Sequence, residues 1–363
     1  MAEKKRKKWL ILSFVVFIVY LFVASSPIPE ETVLVNRWIV ATPQTGSENQ
    51  DPKVLPPSTR TWIPFKAADR FGYFDTEGRF AFNRPIENYV SLSPTLWAEY
   101  GSQDDQIDVH TVNDDGIIHL KNPQGYPFFG DNKIFVVGRE QNSIESVDTS
   151  GKILWKYDYN APITALDGEA DLVLIGGLNG TIEVLDNQGK SIFSFEAGGS
   201  RIPVITGARL SRDGKKIALI SGIDRQRFIL LERSGPTYKV SYHEYLDQGF
   251  RRPVFLAFID RGRKIAFERE RALGIFDINR RKSYTIPLEG SIVGMEEEGT
   301  SNRLFLLTAE ETDGRFNLIG IGLPDTLILK SQFSGSTAFI DRRGNRLFLG
   351  NDKLLAAFDF MQR

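Results

Sequence analysis

From Ile163 to Gly199 the chain alternates short apolar runs with small turn residues. The runs are Ile163 to Leu166, Leu172 to Ile175, Thr181 to Leu185 and Ser191 to Phe195. Gly168, then Gly176 and Gly177 with Asn179-Gly180, then Asn187 to Gly189 divide them. Runs this short, broken by Gly and Asn, predict four strands joined by hairpin turns. A lone sheet of this kind leaves both faces wet, so the unit must repeat.

It does repeat. The same order of runs and turns recurs at Tyr89 to Asn122, Pro127 to Tyr159, Val204 to Tyr245, Val254 to Gly290 and Ser291 to Gly335, and Thr337 opens a copy that stops after three strands. A period of about 40 residues with four strands per repeat predicts an all-β chain folded as a single β-propeller over residues 62–363, each sheet covering the faces of its neighbours. Counting these copies, the incomplete last one included, gives seven blades. The last one lacks a strand, and closing a ring removes exposed sheet edges, so an early strand should complete it, with Arg79 to Arg84 as the candidate. In that count Phe71 to Asp75 is surplus. The alternative is eight blades, with Trp62 to Phe82 forming most of the extra one.

The stretches VDTSGKILWKYD (147–158) and LDNQGKSIFSFEA (185–197) resemble the repeat of quinoprotein-like propellers, and LSRDGKKIALIS (210–221) resembles the Asp-Gly hairpins of WD-repeat and Tol-system propellers. The regular Gly-His and Trp-Asp pairs of true WD repeats are missing. The resemblance implies the fold, and this fold hosts enzymes, scaffolds and ligand readers alike. Quinone-dependent relatives of this kind hold their cofactor with a tryptophan platform, a calcium ion and often a vicinal disulfide. Here there is no cysteine, and Trp155 falls within the repeat, where packing explains it, so no cofactor is expected. Envelope propellers such as the propeller subunit of the outer-membrane β-barrel assembly machine imply a scaffold. That subunit is a lipoprotein, and this chain has no cysteine to carry a lipid.

The N-terminal segment has a different pattern. Lys4, Lys5, Arg6, Lys7 and Lys8 form a basic tail ahead of the uncharged apolar run from Trp9 to Ala24. Such a run predicts one transmembrane helix over residues 9–25 in contact with the lipid bilayer, with the bases kept cytoplasmic and the propeller on the periplasmic side of the inner membrane. Val23-Ala24-Ser25 also fits a signal cleavage site. Residues 26–61 read as a proline-containing tether, except that Thr32 to Val40 has the pattern of a strand or short packing segment.

Composition narrows the chemistry. A net charge of -1 argues against bulk attraction to nucleic acid, and zero cysteines exclude disulfides, thiolate metal sites and cysteine nucleophiles. His110 and His119 fall on consecutive strands, but no third ligand or HExxH spacing accompanies them, so no metal is expected. The acidic clusters Asp104-Asp105, Asn113 to Asp115, Glu296 to Glu298 and Glu310-Glu311 read as turn residues. No Gly-x-Ser-x-Gly elbow, phosphate loop or calcium loop occurs, and a non-enzymatic role is expected.

One feature rises above this background. Between Arg201 and Lys282 there are 19 Lys and Arg against 9 Asp and Glu. In a four-stranded blade the loops after the second and fourth strands open on one face. Arg201, Arg225, Arg227, Arg251, Arg252 and Arg269 map there with Tyr157, Tyr159 and Phe250. Arginine mixed with aromatic residues is the composition of protein interfaces, so this face is the expected contact for other envelope or membrane proteins.

Overall fold

The structure, a computed structural model, describes residues 32–42 and 61–362 apart from 113–115, 131–132, 247–248, 299–301 and 312–313, together with Phe14, Phe17 and Tyr20. Strands are numbered β1 to β31 in chain order, and they form eight sheets. Blade 1 holds β2 (Trp62–Ala67), β3 (Arg70–Asp75) and β4 (Phe80–Pro85). Blades 2 to 7 are four-stranded meanders spanning residues 89–121, 125–158, 163–196, 205–245, 256–287 and 291–334. Blade 8 holds β29 (Ala338–Arg343), β30 (Arg346–Asn351) and β31 (Leu354–Gln362), and its fourth strand is β1 (Thr32–Ala41).

The expected seven blades therefore become eight. The strand sets of blades 2 to 8 are those the periodicity predicts, and the error lies at the N-terminal end. Trp62 to Pro85 is a true blade, with Ile63, Phe65 and Ala67 alternating into the core. Its turn pattern places β2 to β4 as second to fourth strands. Ala68 N donates to Thr337 Oγ1 in the loop before β29, and Arg346, at the other end of blade 8, donates to Thr76 O. Among the described residues this sheet has three strands.

The closing strand was also misplaced. Arg79 to Arg84 lies in and before β4, paired with β3. Closure is made by β1, antiparallel to β31 from Thr32↔Gln362 to Ala41↔Leu354, with a bulge at Arg37. Arg37 Nε donates to Asp359 Oδ2 at 2.6 Å, and Arg346 holds the other oxygen at 2.8 Å. Trp38 then reaches into blade 1. Its Nε1 donates to Thr76 O at 3.0 Å, and its ring meets Phe74 and Phe348. Trp155 does the same three blades further round the ring, donating to Asn187 O beside Gly189. Gly189 has φ +77, and an added Cβ would lie 2.6 Å from the indole, so both backbone and space require glycine there.

In blades 2 to 8 the first strand lies innermost. These are β5 (Tyr89–Leu92), β9 (Gly125–Gly130), β13 (Ile163–Glu169), β17 (Ile205–Leu210), β21 (Leu256–Ile259), β25 (Ser291–Glu298) and β29. Their backbone carbonyls are partly satisfied by the preceding blade: Ser91 Oγ donates to Pro127 O, and Thr164 Oγ1 to Ile205 O, each at 2.6 Å.

Among the described residues no helix is long and apolar enough to cross a membrane. The transmembrane helix over 9–25, and with it the single-pass inner-membrane placement, is not upheld. That run lies almost wholly outside the described residues.

Candidate functional site

The meander of each blade brings the loops after the second and fourth strands to one face, and between blades 4, 5 and 6 these loops interlock. Gly198 and Gly199, both at positive φ, turn the chain tightly into blade 5. A side chain at Gly199 would press on the Arg227 guanidinium and the Tyr245 hydroxyl, at 3.1 and 3.2 Å. Arg227 donates to Ala197 O, and its guanidinium lies 5.8 Å from the centre of the Tyr245 ring, while Arg225 lies 4.4 Å from it. Arg201 Nε donates to Asp224 at 3.1 Å. Hydrogen bonds from Ser200 and then Arg201 hold the Asp224 carboxyl well below the usual carboxylate range, so it stays ionised. Beside these charges Ile202 is 50% exposed and Tyr245 43% exposed.

Phe250 and Arg252 continue the patch. The Arg252 guanidinium covers Phe250 at 4.3 Å, and Phe250 N donates to Gln226 Oε1. Arg252 also grips Glu268 with both terminal nitrogens, at 3.0 and 2.8 Å, and donates to Ser291 Oγ at 2.9 Å. Glu268 is buried and accepts further bonds from Phe255 N and Ile292 N. This group stitches blade 6 to blade 7.

The structure thus brings Arg201, Arg225, Arg227, Phe250 and Arg252 onto one face with exposed Arg251. Arg269 lies on the same side, with Nη1 3.3 Å from Thr285 Oγ1. The two tyrosines stand apart in blade 3. Tyr159 is buried and donates to Thr181 O at 2.7 Å, while Tyr157 is half-buried in the seam with blade 4, so Tyr159 supports the ring rather than a surface. Sequence reasoning missed Tyr245, Asp224 and Ile202. The alternation around Arg225 and Arg227 carried the signal for Tyr245, since Arg227 pairs with it across β19 (Arg227–Ser234) and β20 (Thr237–Tyr245). The patch combines fixed guanidiniums, one anion and exposed apolar side chains. Such an arrangement can meet a protein segment through charge and apolar contact.

The other candidate residues separate by role. His119 Nδ1 pairs with Asp108 at 2.8 Å, and the His110 ring stacks on Trp97 at 4.2 Å. Among the described residues no three metal-binding side chains come together. Asp104 accepts from Gly101 N and Glu310 from Asn317 and Gln332, all three structural bonds. Residues 113–115 lie outside the described residues. Glu296 to Glu298 form part of the inner strand β25 and not a turn, which corrects their reading.

Burial pushes the Glu296 carboxyl up to about 7, with Asp341 on β29 adding to the rise and Arg343 and Arg342 opposing it. Burial likewise raises Asp341 to about 6 against the pull of Arg343, 2.9 Å away. Glu296 binds its proton more tightly folded than unfolded, so its contribution weakens stability as pH rises from the ordinary 4.5 through 7. Glu296→Gln should therefore match the parent near pH 4.5 and gain on it towards neutrality, by about 2–3 kcal/mol in urea unfolding at pH 7.5. An equal offset at every pH would contradict this.

The sequence model of a family described as beta-propeller protein matches residues 1–363. The chain belongs to that family. A protein of Treponema pallidum (strain Nichols), described as uncharacterized, is 27% identical over 360 residues, covering 98% of this chain and 95% of its own. Among solved structures, BamB from Moraxella catarrhalis superposes with a TM-score of 0.60 at 12% identity, over 90% of this chain and 100% of that one. The computationally designed protein Ika8 gives 0.62 at 16% identity, over 83% and 94%. A chain of the mitotic checkpoint complex gives 0.56 at 13% identity, over 85% and 98%. At these identities the likeness shows the propeller fold alone.

Proposed function

We propose that this family member is a non-enzymatic interaction propeller whose contact surface is the arginine–aromatic face of blades 5 and 6. The observation that carries the reading is the packing of Arg225 and Arg227 on Tyr245, beside Arg201 and half-exposed Ile202. Pre-ordered guanidiniums next to exposed apolar area favour a partner segment that is acidic and carries apolar side chains. The comparison with a propeller chain from a multiprotein complex is in keeping with a binding role. The finer form of the proposal, a scaffold among cell-envelope proteins, is supported by the resemblance of the repeats to envelope propellers.

Charge reversal tests it. Arg201→Glu, Arg225→Glu and Arg251→Glu together place repulsion where an acidic partner would sit, and none of the three is buried. Proteins captured by crosslinking to the parent chain should bind the triple variant, which should fold normally, on the order of a hundredfold more weakly. Unchanged partner recovery from a well-folded triple variant would remove this face from the account.

A further inference from the structure

The opposite face of the ring holds a second feature. At the mouth of the axial channel the inner strands and first turns of blades 2 to 5 enclose a cavity of about 460 Å³. That is towards the small end of the roughly 300–1,000 Å³ typical of small-molecule sites. Its walls differ in chemistry. Phe128 and Phe129 of β9, with Leu166 and Pro94, supply apolar surface. Asp167 and Glu169 on β13 and Arg209 on β17 supply opposite charges from adjacent blades, with Arg209 the single cation of the lining.

The Asp167 and Arg209 side chains are already oriented. Asp167 Oδ2 accepts from Leu210 N at 2.8 Å, which fixes the carboxyl across the seam between blades 4 and 5. Arg209 Nη1 lies 3.2 Å from Ala208 O and 3.5 Å from Leu166 O, and the side chain is exposed to the channel. A planar guanidinium held in this way matches a carboxylate or phosphate through two parallel hydrogen bonds. The second oxygen of Asp167 suits a ligand hydroxyl, and the phenylalanines suit the C–H face of a ring.

We propose that this mouth binds a small hydroxylated ring carrying one anionic group, with Arg209 taking the anion, Asp167 a hydroxyl and Phe128 or Phe129 the ring face. The site is independent of the arginine–aromatic patch, since it lies at the other end of the channel and shares no residue with it.

Saturation-transfer NMR and calorimetry on the full chain test the proposal with three probes: glucuronate, glucose 6-phosphate and neutral glucose. At least one of the two anions should bind at millimolar concentration, and which one binds tells whether the anion is a carboxylate or a phosphate. Glucose should bind more weakly than either. Arg209→Ala should weaken the bound anion roughly tenfold or more, while Arg209→Lys, which keeps the charge but not the fork, falls between. Circular dichroism should show both variants folded, since Arg209 is exposed. Asp167→Asn keeps an acceptor for Leu210 N and should weaken the same probe. Failure of both anions to bind, glucose binding as well as they do, or binding unchanged by Arg209→Ala would each overturn the proposal. None of these results bears on partner capture by the other face.

Discussion

Glu268→Ala is expected to cost about 3–5 kcal/mol of stability, the scale for removing one partner of a buried ion pair. The carboxylate is 2% exposed and accepts four bonds, two from Arg252 and one each from Phe255 N and Ile292 N. Without it, Arg252 loses its counter-charge and two backbone N–H groups lose their acceptor inside the seam of blades 6 and 7. Each such orphan costs on the order of 1–3 kcal/mol, and these bring the total into that range although Arg252 is itself 40% exposed and its ion pair partly screened. Glu268→Gln keeps an acceptor and should lose clearly less. Urea unfolding of the three proteins gives the ranking, and an alanine variant within about 1 kcal/mol of the parent would show that the seam does not depend on this carboxylate.

Trp38→Ala should cost about 3 kcal/mol, at the lower end for truncating a packed aromatic because the indole is only half-buried. It removes the bond to Thr76 O and the ring contacts with Phe74 and Phe348, which join blade 8 to blade 1. The consequence is local as well as global. Amide exchange should accelerate first in β1, β31 and β2 to β4, because the ring opens at its closure. Uniform acceleration across all blades would argue against a closure held by Trp38.

Seven of the eight strand sets were legible in the sequence, because Gly, Asn and Asp punctuate apolar runs at fixed offsets. The repeated turn is visible as DTEGR, DTSGK and DNQGK, where Asp75, Asp148 and Asp186 each accept from the backbone N–H groups two and four residues on. Blade 1 carries that turn too, but assigning Arg79 to Arg84 to ring closure left Phe71 to Asp75 surplus and made eight blades only the alternative. β1 was legible as a strand or packing segment over Thr32 to Val40, but its place in the ring was not. A closing strand is distant in sequence from the sheet it completes, here by more than 300 residues, and TVLVNRWIV stands alone among prolines with no local hairpin to announce it. The apolar run from Trp9 to Ala24 pointed to a membrane span on composition alone, and the described residues contain no helix that would make one.

The binding face was partly legible. Turn positions gave the arginines, since loops after the second and fourth strands of neighbouring blades must share a face. What each arginine does depends on contacts between blades, which no local pattern encodes. Arg252 looks like Arg251 in sequence, yet one is bound to a buried carboxylate and the other is exposed. Tyr159 alternates like a surface residue, yet its hydroxyl is tied to Thr181 O. The charged lining of the channel was hidden because Asp167 and Arg209 lie 42 positions apart, one repeat, and meet only when the ring forms.

The most direct test of the eight-bladed ring uses the absence of native cysteine. Ile39 and Ala356 are paired residues on β1 and β31, so Ile39→Cys with Ala356→Cys places two thiols within disulfide reach. Mild oxidation of the folded double variant should join residues 39 and 356 nearly completely, while Asn83→Cys with Ala356→Cys should stay reduced. A disulfide in the second pair and none in the first would mean that residues 79–84 close the ring, and the eight-bladed account would fall.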